Sequence, residues 1–156
     1  MNVRPLERDE LETVIDHLTA RPPEKHRERL EQQERGELVY FVAWDEGTAV
    51  GTGLLRWRGR VGYPQLEDLW VLPERRNDGI GSAILDAVEQ AAAESGADRL
   101  GLAVAVENAG ARRLYSRRGY VATEQAPFLL SYTAWGDDGV PQPVNELSLY
   151  LVRRLP

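Results

Sequence analysis

"LEDLWVLPERRNDGIGSAIL" (residues 66–85) passes from one backbone period to another. Residues 66–72 are rich in apolar and β-favouring types, interrupted by the pair Glu67–Asp68. Pro73 ends that strand because it has no N–H to give to a ladder. From Gly79 a helix is expected to run to about Ser95, with Ile80, Ile84, Ala87, Val88 and Ala91 as its buried stripe and Gly96 as its C-terminal cap. A glycine turn between strand and helix gathers unpaired N–H groups at the positive end of a helix dipole, which favours an anion such as phosphate. Arg76, three residues before Gly79, can add charge-assisted bonds. A plain strand-to-helix turn looks the same, and the glycines alone do not separate the two. The dinucleotide pattern G-x-G-x-x-G/A fails, since Ile84 stands at its last position. No Gly-Lys-Ser/Thr is present to form a triphosphate loop.

Upstream of this stretch, Asp9 with Glu12 has capping-box spacing ahead of a helix whose apolar face is Leu11, Val14, Ile15 and Leu18. "RPP" (21–23) breaks it, and Pro22 and Pro23 can open a second, very polar helix running to about Arg35. "LVYFVAW" (38–44), "DEG" (45–47) and "TAVGTGLLRW" (48–57) read as strand, turn and returning strand. Downstream, "RLGLAVAV" (99–106) alternates a bulky face with a nearly bare one of Gly101, Ala103 and Ala105. That bare face suits either the close approach of a ligand or packing beneath a helix. Asn108 to Arg118 reads as a short helix ended by Gly119. "YVATEQAPFLLSYTAW" (120–135) and "NELSLYLVRRL" (145–155) read as strands around "GDDG" (136–139). The order, with an opening strand left undecided, is that of a mixed α/β domain.

Composition bounds the function. The chain of 156 residues suits a single domain spanning 1–156, and 42% hydrophobic with 28% charged residues is the mix of a soluble globular protein. Cysteine is absent, which excludes disulfides, thiolate metal sites and a cysteine nucleophile. A net charge of −6 disfavours nucleic acid and favours a cationic partner, or serves solubility alone. No apolar run approaches a membrane span, and the N-terminus lacks the apolar segment of a signal peptide, so a cytoplasmic protein without a membrane partner is expected. His17 and His26 fall off the apolar stripes and are expected at the solvated surface, with no metal site.

Two separated stretches carry a family resemblance. The first is Val71-Leu72-Pro73 followed by Arg76-Asn77-Asp78-Gly79-Ile80-Gly81. The second is Asn108, Ala111, Leu114, Tyr115, Gly119 and Tyr120 at their present spacing. Together they resemble the GNAT superfamily of acyl-CoA-dependent N-acetyltransferases. "LEDLWV" with the glycine turn is similar in particular to the polyamine (spermidine/spermine) branch. The resemblance implies an α/β (α+β) fold: a mixed, mostly antiparallel sheet with a splayed central parallel strand pair and about four helices. It implies acetyl-CoA as cosubstrate, lying between strand 66–72 and strand 99–106. Backbone groups of Leu69, Trp70 and Val71 would meet the pantetheine arm. Arg76 and the N–H groups of Asn77, Asp78, Gly79, Ile80, Gly81 and Ser82 would hold the pyrophosphate. Asn108 would bind pantetheine or cap its helix.

The implied chemistry is amine attack on a thioester within a ternary complex. Tyr115 matches the tyrosine that protonates the departing sulfur. Glu67 is the expected base, with Asp68 as substrate ligand or alternative base. As neighbours on a strand the two should face opposite sides, Glu67 with Leu69 and Val71, Asp68 with Trp70. The expected acceptor is the primary amine of a small cationic molecule, polyamines first. A protein amine, or a non-catalytic acyl-CoA-binding role, is the alternative, and a homodimer is compatible with the family. Ala103 stands where protein N-terminal acetyltransferases carry a glutamate, which lowers that reading. Tyr132, Trp135, Asp137 and Asp138 form either an aromatic and acidic lip or a hairpin tip. Glu31 and Glu34 are acceptor-side candidates by position. Trp44, Trp57 and Trp70 are read as core or pocket walls.

Overall fold

In a computed structural model describing residues 1–156, the apolar runs assemble into one eight-stranded sheet. The elements are β1 (Asn2–Pro5), α1 (Leu11–His17), α2 (Pro23–Glu34), β2 (Leu38–Asp45), β3 (Thr48–Arg56) and β4 (Gln65–Val71). They continue with α3 (Ile80–Glu94), β5 (Arg99–Ala105), α4 (Ala109–Arg117), β6 (Val121–Ala122), β7 (Phe128–Trp135) and β8 (Pro141–Arg154). The strand order is β1-β2-β3-β4-β5-β8-β6, with β7 also on β8. Every pairing is antiparallel except β4 with β5. This is the expected class: a mixed, mostly antiparallel sheet, one central parallel pair and four α-helices. The undecided opening strand is β1. The single strand expected over 120–135 divides into β6 and β7, and Pro127, which cannot donate to a ladder, stands in the break. No helix is long and apolar enough to cross a membrane.

The two faces of the sheet bury different cores. On one, Ile84, Leu85 and Val88 of α3 pack against Phe41, Leu55, Leu66 and Leu100. On the other, Leu11, Val14, Leu18 and Leu30 pack against Tyr40, Val42 and Leu54. Each such side chain, fully buried, stabilises the fold by roughly 1.5–3 kcal/mol. Helix α3 can seat this closely because β3 has glycine beneath it: a Cβ on Gly53 would lie 2.7 Å from Ile84 Cγ2.

Three local expectations are corrected. The buried stripe of α3 runs through Leu85 and Ala92, while Ala87 and Ala91 are only partly buried. Glu89 joins that stripe because Arg118 and Arg153 meet its carboxylate. Asp9 does not cap α1. A 3-10 turn (Arg8–Glu10) precedes the helix, and there Glu10 accepts the Glu7 N–H at 3.0 Å while also binding Arg4. His26 is not at the surface. It is buried, with its ring between the Tyr40 hydroxyl (2.8 Å) and the Leu18 carbonyl (2.9 Å), and burial pushes its pKa down. His17 is half-buried, and its Nδ1 accepts the Ala49 N–H at 3.0 Å.

Candidate active site

The parallel pair is short. Only Gln65 with Gly101 and Leu66 with Leu102 are paired, after which β4 and β5 diverge. A bulge in β4 lies at the divergence. Leu54 opposes Glu67 and Thr52 opposes Trp70, so Gly53 alone faces Asp68 and Leu69. Asp68 takes the left-handed conformation (φ 49), which a short polar side chain tolerates better than most. From Glu67 to Val71 no strand pairs the β5-side edge of β4, leaving a row of backbone groups beside a wedge.

A cavity of about 620 Å³ opens there. Leu69, Ala103 and Ala105 contribute from the splayed strands, Tyr115 from α4 and Asn108 from its N-cap, and Glu67 and Asp68 from the start of the bulge. The bulge overturns the expected alternation: the two carboxylates do not face opposite sides but line this one cavity. The bare face of β5 is divided. Ala103 and Ala105 border the cavity, whereas Gly101 lies under Tyr150, whose hydroxyl would be 2.3 Å from a Cβ there.

Both carboxylates already have partners. Glu67 Oε2 accepts from Arg56 Nε at 2.9 Å and from Gln65 Nε2 at 2.8 Å. Asp68 sits between two arginines: Arg21 Nη2 donates to Oδ1 at 3.1 Å and Arg29 Nη2 donates to Oδ2. Burial alone would raise the Asp68 carboxyl, but Arg29 and Arg21 outweigh it and hold it below the usual carboxylate range. Tyr115 is buried in the cavity wall with its ring edge against Tyr120 at 5.7 Å. Burial raises its pKa, so the phenol keeps its proton at neutral pH. Asn108 is the N-cap of α4, its Oδ1 accepting the Ala111 N–H at 3.1 Å.

The glycine turn lies outside the cavity lining, at the C-terminal end of β4. Gly79 (φ 81) is the N-cap of α3, and no acid stands in the helix's first turn. A Cβ on Gly81 would touch only Val71 Cγ2 at 3.9 Å, so a side chain there would meet open space. Asp78 does not cap the helix but accepts from Arg75 Nε at 3.3 Å, and Arg75 also binds Asp45 at 2.8 Å. Arg76 Nε donates to the Val71 carbonyl at 3.0 Å, and its guanidinium meets Asp137 at 3.0 Å.

Residues 128–154 are the hairpin alternative, and of the expected lip only its aromatic members line the cavity, Asp137 and Asp138 lying outside it. They form a hairpin, and Asp138 accepts the Val140 N–H to shape its tip. The same hairpin covers the site, with Tyr132 and Trp135 on the cavity wall and Asp137 also accepting from Trp70 Nε1 at 3.3 Å. Glu31 and Glu34 do not reach the cavity; Glu34 binds Arg8, and α2 contributes Glu28, Arg29 and Gln32 instead. Trp44 belongs to the second core, while Trp57 and Trp70 pack at core edges. The reading of the sequence missed Arg21, Arg29 and Arg56. A signal for Arg29 was present: His26, Arg29 and Leu30 recur at helical spacing and are the buried residues of a polar helix.

The sequence pattern of the acetyltransferase (GNAT) family matches residues 4–120. An uncharacterized N-acetyltransferase, YjcF of Bacillus subtilis (strain 168), is 33% identical over 120 residues, covering 77% of this chain and 74% of that protein. The thialysine N-epsilon-acetyltransferase of Bos taurus is 44% identical over 63 residues, 40% of this chain and 36% of that one. Among solved structures, the PaiA N-acetyltransferase of Thermoplasma acidophilum in complex with coenzyme A shares the fold. Its TM-score is 0.70 at 14% identity, with 98% of both chains covered.

Proposed function

The chain belongs to the acetyltransferase (GNAT) family, and on that premise we propose that residues 1–156 form one domain that transfers the acetyl group of acetyl-CoA directly to a primary amine. The splay of β4 from β5 carries this reading, because it leaves an unpaired backbone edge along a cavity that also holds Tyr115. The fit is physical: an extended amide arm can pair with that edge as a strand would, and the open N-terminus of α3 suits a pyrophosphate. When bound, acetyl-CoA supplies the thioester that the amine attacks. The chain's own groups do the rest. The Leu69–Val71 edge orients the acyl group, and a backbone N–H there polarises its carbonyl. Tyr115, which stays protonated, gives its proton to the departing sulfur. Glu67 accepts the proton of the amine, directly or through water. Asp68, held ionised between two arginines, is a weaker base and acts in positioning.

A small amine is favoured over a protein by the hairpin, whose Tyr132 and Trp135 line the acceptor side of the cavity. The expectation of a polyamine rests on the branch-like motif, the acidic chain and the Glu67–Asp68 pair, and both acids of that pair are bound to arginines. Release of CoA across a panel of amines is the test. Acetyl-CoA binding without turnover of any amine would reduce the protein to an acyl-CoA-binding domain.

A further inference from the structure

The acceptor side of the cavity carries more positive than negative charge. Glu67 is matched by Arg56, and Glu28 by Lys25 at 3.5 Å. Glu146 accepts from the Tyr132 hydroxyl, while Arg60 lies over the Phe128 ring at 3.6 Å with no carboxylate partner. At the centre, one carboxylate serves two guanidinium groups: Arg21 and Arg29 share Asp68. That triad has a net charge of +1, with Arg29 5% exposed and the Arg21 side chain 10% exposed. Arg29 lines the cavity, yet its Nε and Nη1 have no hydrogen-bond partner. Buried guanidinium donors without acceptors are unusual, since each forfeits the water it had in the unfolded chain. One further carboxylate would neutralise the triad, and the Arg21 guanidinium, 10% exposed at the cavity, is a planar fork that matches it. The same arrangement repels a ligand whose only charges are positive.

Building on the acetyl-transfer reading, we propose that the acceptor amine also bears a carboxylate, bound by Arg21 with the buried charge of Arg29 behind it, so the substrate class is an amino acid or similar amino-carboxylate. The wall in question comes from α2 and the segment before it, whereas Tyr115 stands on α4 and Asn108 caps it. The acceptor, not the acyl arm in the β4–β5 wedge, is therefore the group that meets the arginines.

Matched acceptors test this: lysine against cadaverine, ornithine against putrescine, phenylalanine against phenethylamine. Members of each pair differ only by the carboxylate. With acetyl-CoA, the carboxylated member of the best pair is expected to be favoured at least about tenfold in kcat/KM, chiefly through KM. Equal or better use of the decarboxylated member overturns the proposal. Calorimetry on the CoA-loaded protein gives a readout independent of turnover. If amino acids bind and their amines do not, while none is acetylated, the transfer reading fails and the carboxylate site stands. Equal binding of both, or of neither, overturns the site. Arg21→Gln, checked for an unchanged fold by circular dichroism, is expected to bring the lysine-to-cadaverine preference close to unity. A purely structural role would lower both acceptors alike, and that result counts against the proposal. Succinyl-CoA with cadaverine is the last arm: a preference for that donor, lost in Arg21→Gln, would assign the arginines to the acyl group and overturn the acceptor assignment.

Discussion

At its C-terminal end β4 runs into a turn whose useful groups are backbone N–H donors, and the nearby charged side chains are already bound elsewhere. Arg75 is taken by Asp45 and Asp78, and Arg76 by Val71 and Asp137. At its bulge, three residues earlier, the same strand presents the opposite arrangement. Glu67 and Asp68 are held by arginines from β3, from α2 and from the segment before α2. The first end is open and defined by conformation, with Gly79 left-handed and Gly81 bare. The second is closed and defined by charge. Backbone sites of the first kind recognise a constant group such as a pyrophosphate, and side-chain sites of the second kind can change their ligand by single substitutions.

The largest expected effect strikes the open end. Gly81→Glu puts a carboxylate among the α3 N–H donors, and the open space there lets the fold persist. Repulsion from a phosphate at close range in a partly screened site is about 4 kcal/mol, so acetyl-CoA affinity is expected to fall by more than about a hundredfold. Unaltered binding in a variant that melts like the parent would remove the phosphate assignment.

Tyr115→Phe acts between the two ends. The ring and its contact with Tyr120 are kept, and only the O–H is lost. A drop in kcat of about a hundredfold is expected, with acetyl-CoA affinity within about threefold. Parent-like turnover would show that the sulfur leaves without help from this phenol.

Asp68→Asn probes the closed end through stability. It leaves two guanidinium groups around a neutral amide. The cost is expected to be about 1–3 kcal/mol, reduced from a fully buried pair because the Asp68 side chain is 32% exposed. Its folded pKa lies below the unfolded value, since Arg29 and Arg21 outweigh burial. The contribution is therefore present above the ordinary carboxylate pKa and is lost as pH falls through the folded one. The parent-to-variant gap in urea stability should hold constant above about pH 5 and narrow below about pH 4. A gap independent of pH would mean that the charge of Asp68 does not stabilise the fold.

These two ends also differ in how far the sequence reveals them. The turn at 75–82 is local: strand, proline, glycines and helix follow one another, so spacing alone locates it. The element order, and with it the mixed sheet, is legible for the same reason, because each period change lies within a dozen residues. The closed end joins distant segments, Arg21 with Asp68 across 47 residues and with the Trp135 carbonyl across 114, and nothing in any of them names the others. The bulge is hidden too. Strict alternation predicts opposite faces for Glu67 and Asp68, and only the pairing of β3 with β4 shows the extra residue. His26 illustrates the same limit. A polar residue on a polar helix reads as surface until Tyr40 and the Leu18 carbonyl are seen to satisfy both ring nitrogens.

Asp137 ties the two ends together, and its removal gives the smallest effect. From the hairpin tip it accepts from Trp70 on the bulged strand and binds Arg76 at the turn. Arg76 and Asp137 are 44% and 49% exposed, so their pair contributes no more than about 1 kcal/mol. A pyrophosphate at the turn competes with Asp137 for the same guanidinium, and like charge adds to the competition. Asp137→Ala is therefore expected to tighten acetyl-CoA binding by about two- to threefold at low salt. The gain should fade near 1 M salt, where screening acts within about 3 Å. Weaker binding in Asp137→Ala would reverse the relation. The hairpin would then be a brace that presents Arg76 to the phosphate, and the open end of β4 would depend on the closed one.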